Sequence, residues 1–275
     1  MPTQSRVILI TGASSGLGKA IATSLAGTGA RVYGTSRHPP ASGNDESGTF
    51  RIIGMDVDDE HSVETGVRQV VAEAGRIDVL INNAGCGIAG AIEDTTATEA
   101  AAQLSTNFLG THRLCHAVLP LMRAQGSGRI INMSSLAGLV ALPFQAFYSA
   151  SKYAIEAYTE VLRIEAKPHG IHVSMIEPGD YATGFTASRR LTAASMASSP
   201  YYQRLTRAIS IMARDEQANR DLAPLVRTVR KALDDPRPRL RYPTATAVQL
   251  ILVALKPFLP AALIERLLTA TYQAH

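Results

Sequence analysis

A doubly wound parallel α/β sheet, built as a single domain, is the fold this sequence predicts, and three observations predict it. Short apolar runs recur along the chain, each followed by a longer amphipathic stretch. A glycine-rich turn joins the first run to the first amphipathic stretch, and 275 residues at 46% hydrophobic content suffice to bury one sizeable core. Strands covered on both faces read as continuous apolar runs, and their alternation with helices puts helices on both sides of the sheet.

In chain order, Val7-Ile8-Leu9-Ile10 reads as the first buried strand and leads into Thr11-Gly12-Ala13-Ser14-Ser15-Gly16-Leu17-Gly18, with a helical pattern from Lys19 to Gly27. Further strands are expected at Val32–Thr35, Arg51–Met55, Val79–Asn82, Arg129–Met133 and Ile171–Ile176, and long helices at Thr98–Ala124 and Tyr148–Lys167. Pro39–Ser47, rich in Pro, Ser, Gly and Asn, reads as a surface loop. A ligand is expected at the carboxyl ends of the strands, where Thr11, Asn83, Ser135 and Pro178 fall. The tail carries two strongly apolar stretches, Ala245–Leu255 and Phe258–Leu268, interrupted by Lys256, Pro257 and Pro260. Each is shorter than the roughly 20 residues a bilayer span needs. The tail is expected to be buried, against the core or another subunit, or to form a greasy lid or interfacial helix that leaves peripheral membrane contact open.

Two local patterns carry chemistry. The turn Thr11–Gly18 has the spacing Gly-x-x-x-Gly-x-Gly. Its glycines let the backbone turn tightly and approach a pyrophosphate, which free amides and the positive end of the helix favour. The second pattern is Tyr148 and Lys152, four residues apart and so on one helix face. A free phenol titrates near pH 10, so a tyrosine that exchanges protons at neutral pH needs adjacent positive charge to depress its pKa, and Lys152 is placed to supply it.

Ser135 precedes Tyr148 by thirteen residues, Asn107 lies inside the helical stretch after Thr98, and Asn82-Asn83-Ala84-Gly85 follows the fourth strand. In order and spacing these elements resemble the short-chain dehydrogenase/reductase family over about residues 5–185. The Glu177–Phe185 stretch, the Arg239–Pro243 turn and the apolar tail are similar to its hydroxysteroid- and retinol-dehydrogenase-like branch. The resemblance implies a Rossmann-like cofactor-binding core, a helical substrate lobe and tail over about 186–275, and a catalytic set of Asn107, Ser135, Tyr148 and Lys152. Tyr148 would pass a proton to or from the substrate oxygen. Ser135 would hydrogen-bond that oxygen, and the neighbouring Ser134 could be mistaken for it. Lys152 would bind the nicotinamide ribose, and Asn107 would hold a water linking Lys152 to solvent. The resemblance further implies cofactor contacts at Thr11, Gly12, Ser14, Ser15, Gly16, Leu17 and Gly18, at Asp56 and Val57, at Asn83, Ala84 and Gly85, and at Pro178, Gly179, Tyr181 and Thr183. No metal is required.

Cofactor choice is read at the end of the second strand. Ser36 stands where NAD-preferring relatives carry an acid, and Arg37 follows, a pair suited to a 2′-phosphate. NADP(H) is therefore expected. From Ala187 to Arg241 there are twelve Lys or Arg against five acids, a surplus larger than the chain's net +4. It fits either an anionic substrate or partner, or solvated helix faces. With only Cys86 and Cys115, outside any Cys-x-x-Cys or His-rich setting, neither a disulfide framework nor a metal site is indicated. Reduced thiols and an N-terminus without an apolar signal segment predict a cytoplasmic protein. The expected activity is hydride transfer between nicotinamide and a sizeable apolar ketone or secondary alcohol, steroid-, retinoid- or lipid-like. The alternative is a catalytically silent NADP(H)-sensing protein on the same fold. A small-molecule substrate, no nucleic acid, and a homodimer or homotetramer paired through the two long helices complete the expectation.

Overall fold

The computed structural model describes residues 5–272. Nine strands are described: β1 (Val7–Ile10), β2 (Arg31–Ser36), β3 (Arg51–Gly54), β4 (Val79–Asn82), β5 (Ile88–Ala89), β6 (Gly128–Met133), β7 (Ile171–Pro178), β8 (Arg190–Leu191) and β9 (Arg241–Thr244). Seven form one sheet in the order β3-β2-β1-β4-β6-β7-β9, every neighbouring pair parallel, and β5 and β8 pair separately. Strand order reverses at β1, and the crevice beyond the carboxyl ends of β1 and β4 is the position a ligand takes in such sheets.

The pleat sorts each strand's side chains between two cores. Leu9, Tyr33, Ile53, Leu80, Ile130 and Val173 face one side, where α2 (Glu60–Ala74), α4 (Gly110–Gln125) and α5 (Ala146–Ala166) cover them. Ile8, Ile10, Val32, Ile52, Ile81, Ile131 and Ile176 face the other, covered by α1 (Gly16–Ala26) and α8 (Ala223–Asp234). The doubly wound reading is thus what forms, with both faces dry.

Three differences from the sequence reading have physical causes. The helix expected over Thr98–Ala124 is interrupted: α3 (Ala97–Leu104) passes through a π-helical turn at Ser105–Leu109 before α4. The extra residue per turn re-aims Asn107 inward, where it is 1% exposed. A seventh strand, β9, was not expected. Its proline, Pro243, suits an edge strand, and Arg241 fixes it by hydrogen bonds to Glu177 (2.7 Å), Glu160 (2.5 Å) and Glu156. Thirdly, α8 and β9 lie past residue 186 yet belong to the central sheet, so the lobe proper is α6 (Gly184–Ser188), β8 and α7 (Tyr202–Ala218).

The tail forms α9 (Ala247–Leu255) and α10 (Ala261–Thr271), and neither buries a residue. The expected burial does not occur within the chain: Val248 is 77% and Phe258 83% exposed. One side of the pair, through Gln249, Leu252, Val253, Leu268 and Tyr272, lines the central cavity instead.

Candidate active site

A cavity of about 960 Å³ runs along the carboxyl ends of the strands, and it brings together most of the residues the sequence singled out. At one end lies the glycine turn. Gly12 and Gly16 take positive φ (+64° and +55°), a conformation that disfavours any residue with a Cβ. A Cβ on Gly18 would collide with the Gly12 carbonyl oxygen and with Asn83 Nδ2. Asn83 holds the turn in place, donating from Nδ2 to the carbonyls of Thr11 (2.9 Å) and Gly12 (3.1 Å). Thr11 Oγ1 in turn accepts from the Asn83 and Ala84 amides, both at 2.9 Å. Thr11 is therefore a buried brace behind the turn and does not line the cavity. No side chain among the described residues caps the start of α1, so its first amides remain open toward the cavity.

Ser14, Ser15 and Leu17 continue this wall, and Ser36, the exposed Arg37, Asp56 and Val57 form its next part. Asp56 Oδ1 accepts from the Asp58 amide at 3.0 Å, which orients its carboxylate. No carboxylate stands at 36 or 37. These features fit a dinucleotide.

At the other end the candidate reactive groups converge from three elements. Tyr148 and Lys152 lie on the first turns of α5, Ser135 follows β6, Pro178 ends β7, and Gly179, Tyr181 and Thr183 follow it. The Ser135 hydroxyl donates to the Pro178 carbonyl (3.4 Å), accepts from the Ala137 amide (3.1 Å) and lies near enough to the Tyr148 phenol to act on its titration. Lys152 Nζ stands 5.8 Å from the centre of the Tyr148 ring and donates to the Met133 carbonyl at 2.8 Å. The two serines differ in surroundings: Ser134 is buried and its Oγ donates to Glu156, within the Arg241 ion-pair cluster, whereas Ser135 is only partly buried and acts on the Tyr148 phenol.

One expectation is corrected here. The Tyr148 phenol is not depressed: burial pushes it up to about 12, with the nearby Ser135 hydroxyl opposing and the Glu216 charge adding. Burial also pushes Lys152 down to about 8. Desolvation outweighs the proximity that the four-residue spacing suggested. The Asn107 side chain is a clasp. Nδ2 donates to Ser151 Oγ (3.0 Å) and the Cys86 carbonyl (3.1 Å), and Oδ1 accepts from the Cys86 amide (2.9 Å). Gly85 passes close to the same Oδ1. Tyr181 and Thr183 are also partly committed: the Tyr181 hydroxyl pairs with Thr244 Oγ1 (2.7 Å), and Thr183 Oγ1 caps α6 by accepting from Phe185 N (3.2 Å).

Residues 6–194 match the sequence profile described as short chain dehydrogenase. The chain belongs to the short-chain dehydrogenase family. A 3-ketodihydrosphingosine reductase of Bacteroides thetaiotaomicron is 40% identical over 269 residues, covering 98% of each chain. The human 17-beta-hydroxysteroid dehydrogenase type 1 is 35% identical over 252 residues, covering 86% of this chain and 76% of that one. Among solved structures, a short chain dehydrogenase from Burkholderia cenocepacia in complex with NADP superposes with a TM-score of 0.74 at 26% identity, covering 98% of this chain and 100% of that one. The protein is accordingly an oxidoreductase of this family with a site for a nicotinamide cofactor.

The sequence reading expected a substrate lobe but did not single out the residues that line this short-chain dehydrogenase's cavity there. Phe185 packs on Tyr148 with ring centres 5.4 Å apart, and Arg189, Glu216 and Asp180 line the wall beyond it. Burial and then the Glu216 charge push the Asp180 carboxyl up to about 6. The basic surplus was the available signal, but Arg204, Arg207, Arg227 and Arg230 are exposed, whereas the Arg189 side chain turns inward.

Proposed function

We propose that this protein is an NADP(H)-dependent reductase of a sizeable apolar ketone, of the long-chain lipid kind that the Bacteroides relative's name describes. The observation that carries the reading is the convergence of Ser135, Tyr148 and Lys152 on one cavity, with Lys152 Nζ 5.8 Å from the Tyr148 ring centre and the apolar Leu252, Val253 and Leu268 as the far wall. A bound nicotinamide would supply the hydride. The phenol of Tyr148, protonated at neutral pH, gives its proton to the carbonyl oxygen, and Ser135 hydrogen-bonds the same oxygen as negative charge develops there. Lys152, an ammonium below about pH 8, stabilises the phenolate left on Tyr148. A phenol that is neutral at physiological pH favours the reducing direction.

Arg37 would meet a 2′-phosphate, Ser36 would add a hydroxyl donor, and the open amides of α1 would hold the pyrophosphate. Exposed Leu109, Val161 and Ile164 on and beside α4 and α5 support pairing of two copies through these helices. Among the described residues no helix is long and apolar enough to cross a membrane.

The test is a ketone panel of increasing chain length run with NADPH and with NADH, on the parent chain and on Tyr148→Phe. The parent should prefer NADPH and long ketones. Tyr148→Phe should lose at least about a hundredfold in rate while NADPH affinity stays within about threefold. Residual activity within tenfold of the parent, or a parent that prefers NADH, would overturn the reading, and NADPH binding without turnover of any ketone would favour the sensing alternative.

A further inference from the structure

The lobe places a charged pair inside the cavity. The Arg189 side chain is 3% exposed, and its guanidinium lies over the Phe185 ring, Cζ 5.7 Å from the ring centre, on the ring that packs against Tyr148. Nη2 donates to Glu216, whose other oxygen accepts from Thr186 Oγ1 at 2.5 Å. Nε and Nη1 are buried, and neither has a hydrogen-bond partner among the described residues. Buried donors are nearly always satisfied, and leaving one unmade on a charged group costs more than leaving a neutral one unmade. Fold stability does not account for the pair either, since apolar residues of like volume commonly serve a core as well as a buried ion pair does.

We infer that Arg189 is a subsite for the polar end of the substrate, taking an uncharged oxygen, a hydroxyl close to the reacting carbonyl, from Nε or Nη1. This deepens the reductase reading and rests on it. An arginine offers donors only, so its ligand must offer an acceptor. The charge balance decides which acceptor. Glu216 already neutralises Arg189, and Asp180, which also lines this wall, adds a second carboxylate, so an anionic group would meet more repulsion than attraction. A hydroxyl meets no such penalty, and its own proton can be accepted by either carboxylate. The cavity therefore has two chemically distinct ends beyond the reacting carbon: a polar corner made by Arg189, Glu216 and Asp180, and an apolar wall made by the tail helices.

The test uses the NADPH complex of Tyr148→Phe, so that binding is read whether or not turnover follows the proposed chemistry. Three probes are compared by calorimetry: octadecanone, octadecanone carrying a hydroxyl two carbons from the carbonyl, and the same chain carrying a carboxylate at that position. The hydroxyl probe should bind about tenfold tighter than the plain ketone, the size of one hydrogen bond to a charged donor. In Arg189→Gln/Glu216→Gln, which removes both charges together, that advantage should shrink below about threefold. Equal affinities for plain and hydroxylated ketone overturn the inference, as does a carboxylate that binds tightest, or an advantage that survives in the double variant. Should the double variant fail to fold, Arg189→Lys, which keeps the charge and loses two donor nitrogens, is read by the same ratio with the same outcomes.

Discussion

Two helical regions face the same cavity and are held in opposite ways. α5 buries Ser149, Ser151, Lys152, Ile155, Glu156, Thr159, Leu162 and Ala166, with polar groups tied to β6 and to the π-helical turn. α9 and α10 bury none of their residues and reach the cavity with one side only. The proposed proton donor, Tyr148, thus sits on an element whose position is over-determined by the core, while the tail's wall of the cavity is attached by few contacts. Such a division suits a reaction whose geometry must be fixed and a substrate whose shape must be accommodated.

The comparison predicts its largest effect at neighbouring serines on the rigid side. Ser135→Ala should lower kcat/KM by about a hundred- to a thousandfold, the range for removing one donor to a developing oxyanion. Ser134→Ala should leave the rate near parental and instead reduce stability by about 1 to 3 kcal/mol, because buried Glu156 loses a hydrogen bond. Steady-state kinetics and denaturant unfolding separate the two, and equal rate losses would break the contrast.

Next in size is cofactor choice. Ser36→Asp combined with Arg37→Gln should shift preference toward NADH by about ten- to a hundredfold in kcat/KM for each charge-assisted contact changed. An unchanged ratio would mean that neither residue meets the ribose.

A smaller effect comes with pH. Tyr148 holds its proton well past neutrality, so the group that titrates in the working range is Lys152, charged below about pH 8 and neutral above it. Reductive kcat/KM should be level below that value and fall as pH rises through it, and Lys152→Met should be slow and lack that limb. A profile that rises across pH 8 would contradict the assigned roles.

The smallest expected effects lie on the tail's outer side. Val248→Ser with Phe258→Ser should change unfolding free energy by less than about 0.5 kcal/mol per site, as exposed positions do. Leu225→Ala in α8, fully buried against the sheet, should cost about 2 to 5 kcal/mol. Truncation after Thr246, which spares β9, should leave the sheet folded and raise KM for long ketones more than for short ones. Equal losses on both would remove the tail from the substrate site.

What the sequence determined by itself was everything written in local period and local backbone freedom. The first six strands of the large sheet appear as apolar runs because the parallel sheet is covered on both faces. The glycine turn is legible because positive φ and close approach both select glycine, and Tyr148 and Lys152 because a helix brings residues four apart onto one face. Tertiary structure decided what depends on distant partners and on water. Ser134 and Ser135 are indistinguishable in sequence and differ because Glu156 lies behind one and Tyr148 before the other. Asn107 becomes a clasp because a π-helical turn aims it at Cys86 and Ser151. β9 joins the sheet because Arg241 finds three carboxylates on α5 and β7. Arg189 stands apart from the exposed arginines around it because a glutamate 27 residues away draws it inside. Burial, which raises a phenol and lowers an ammonium whatever their spacing, is a property of the assembled neighbourhood, and no stretch of sequence contains it.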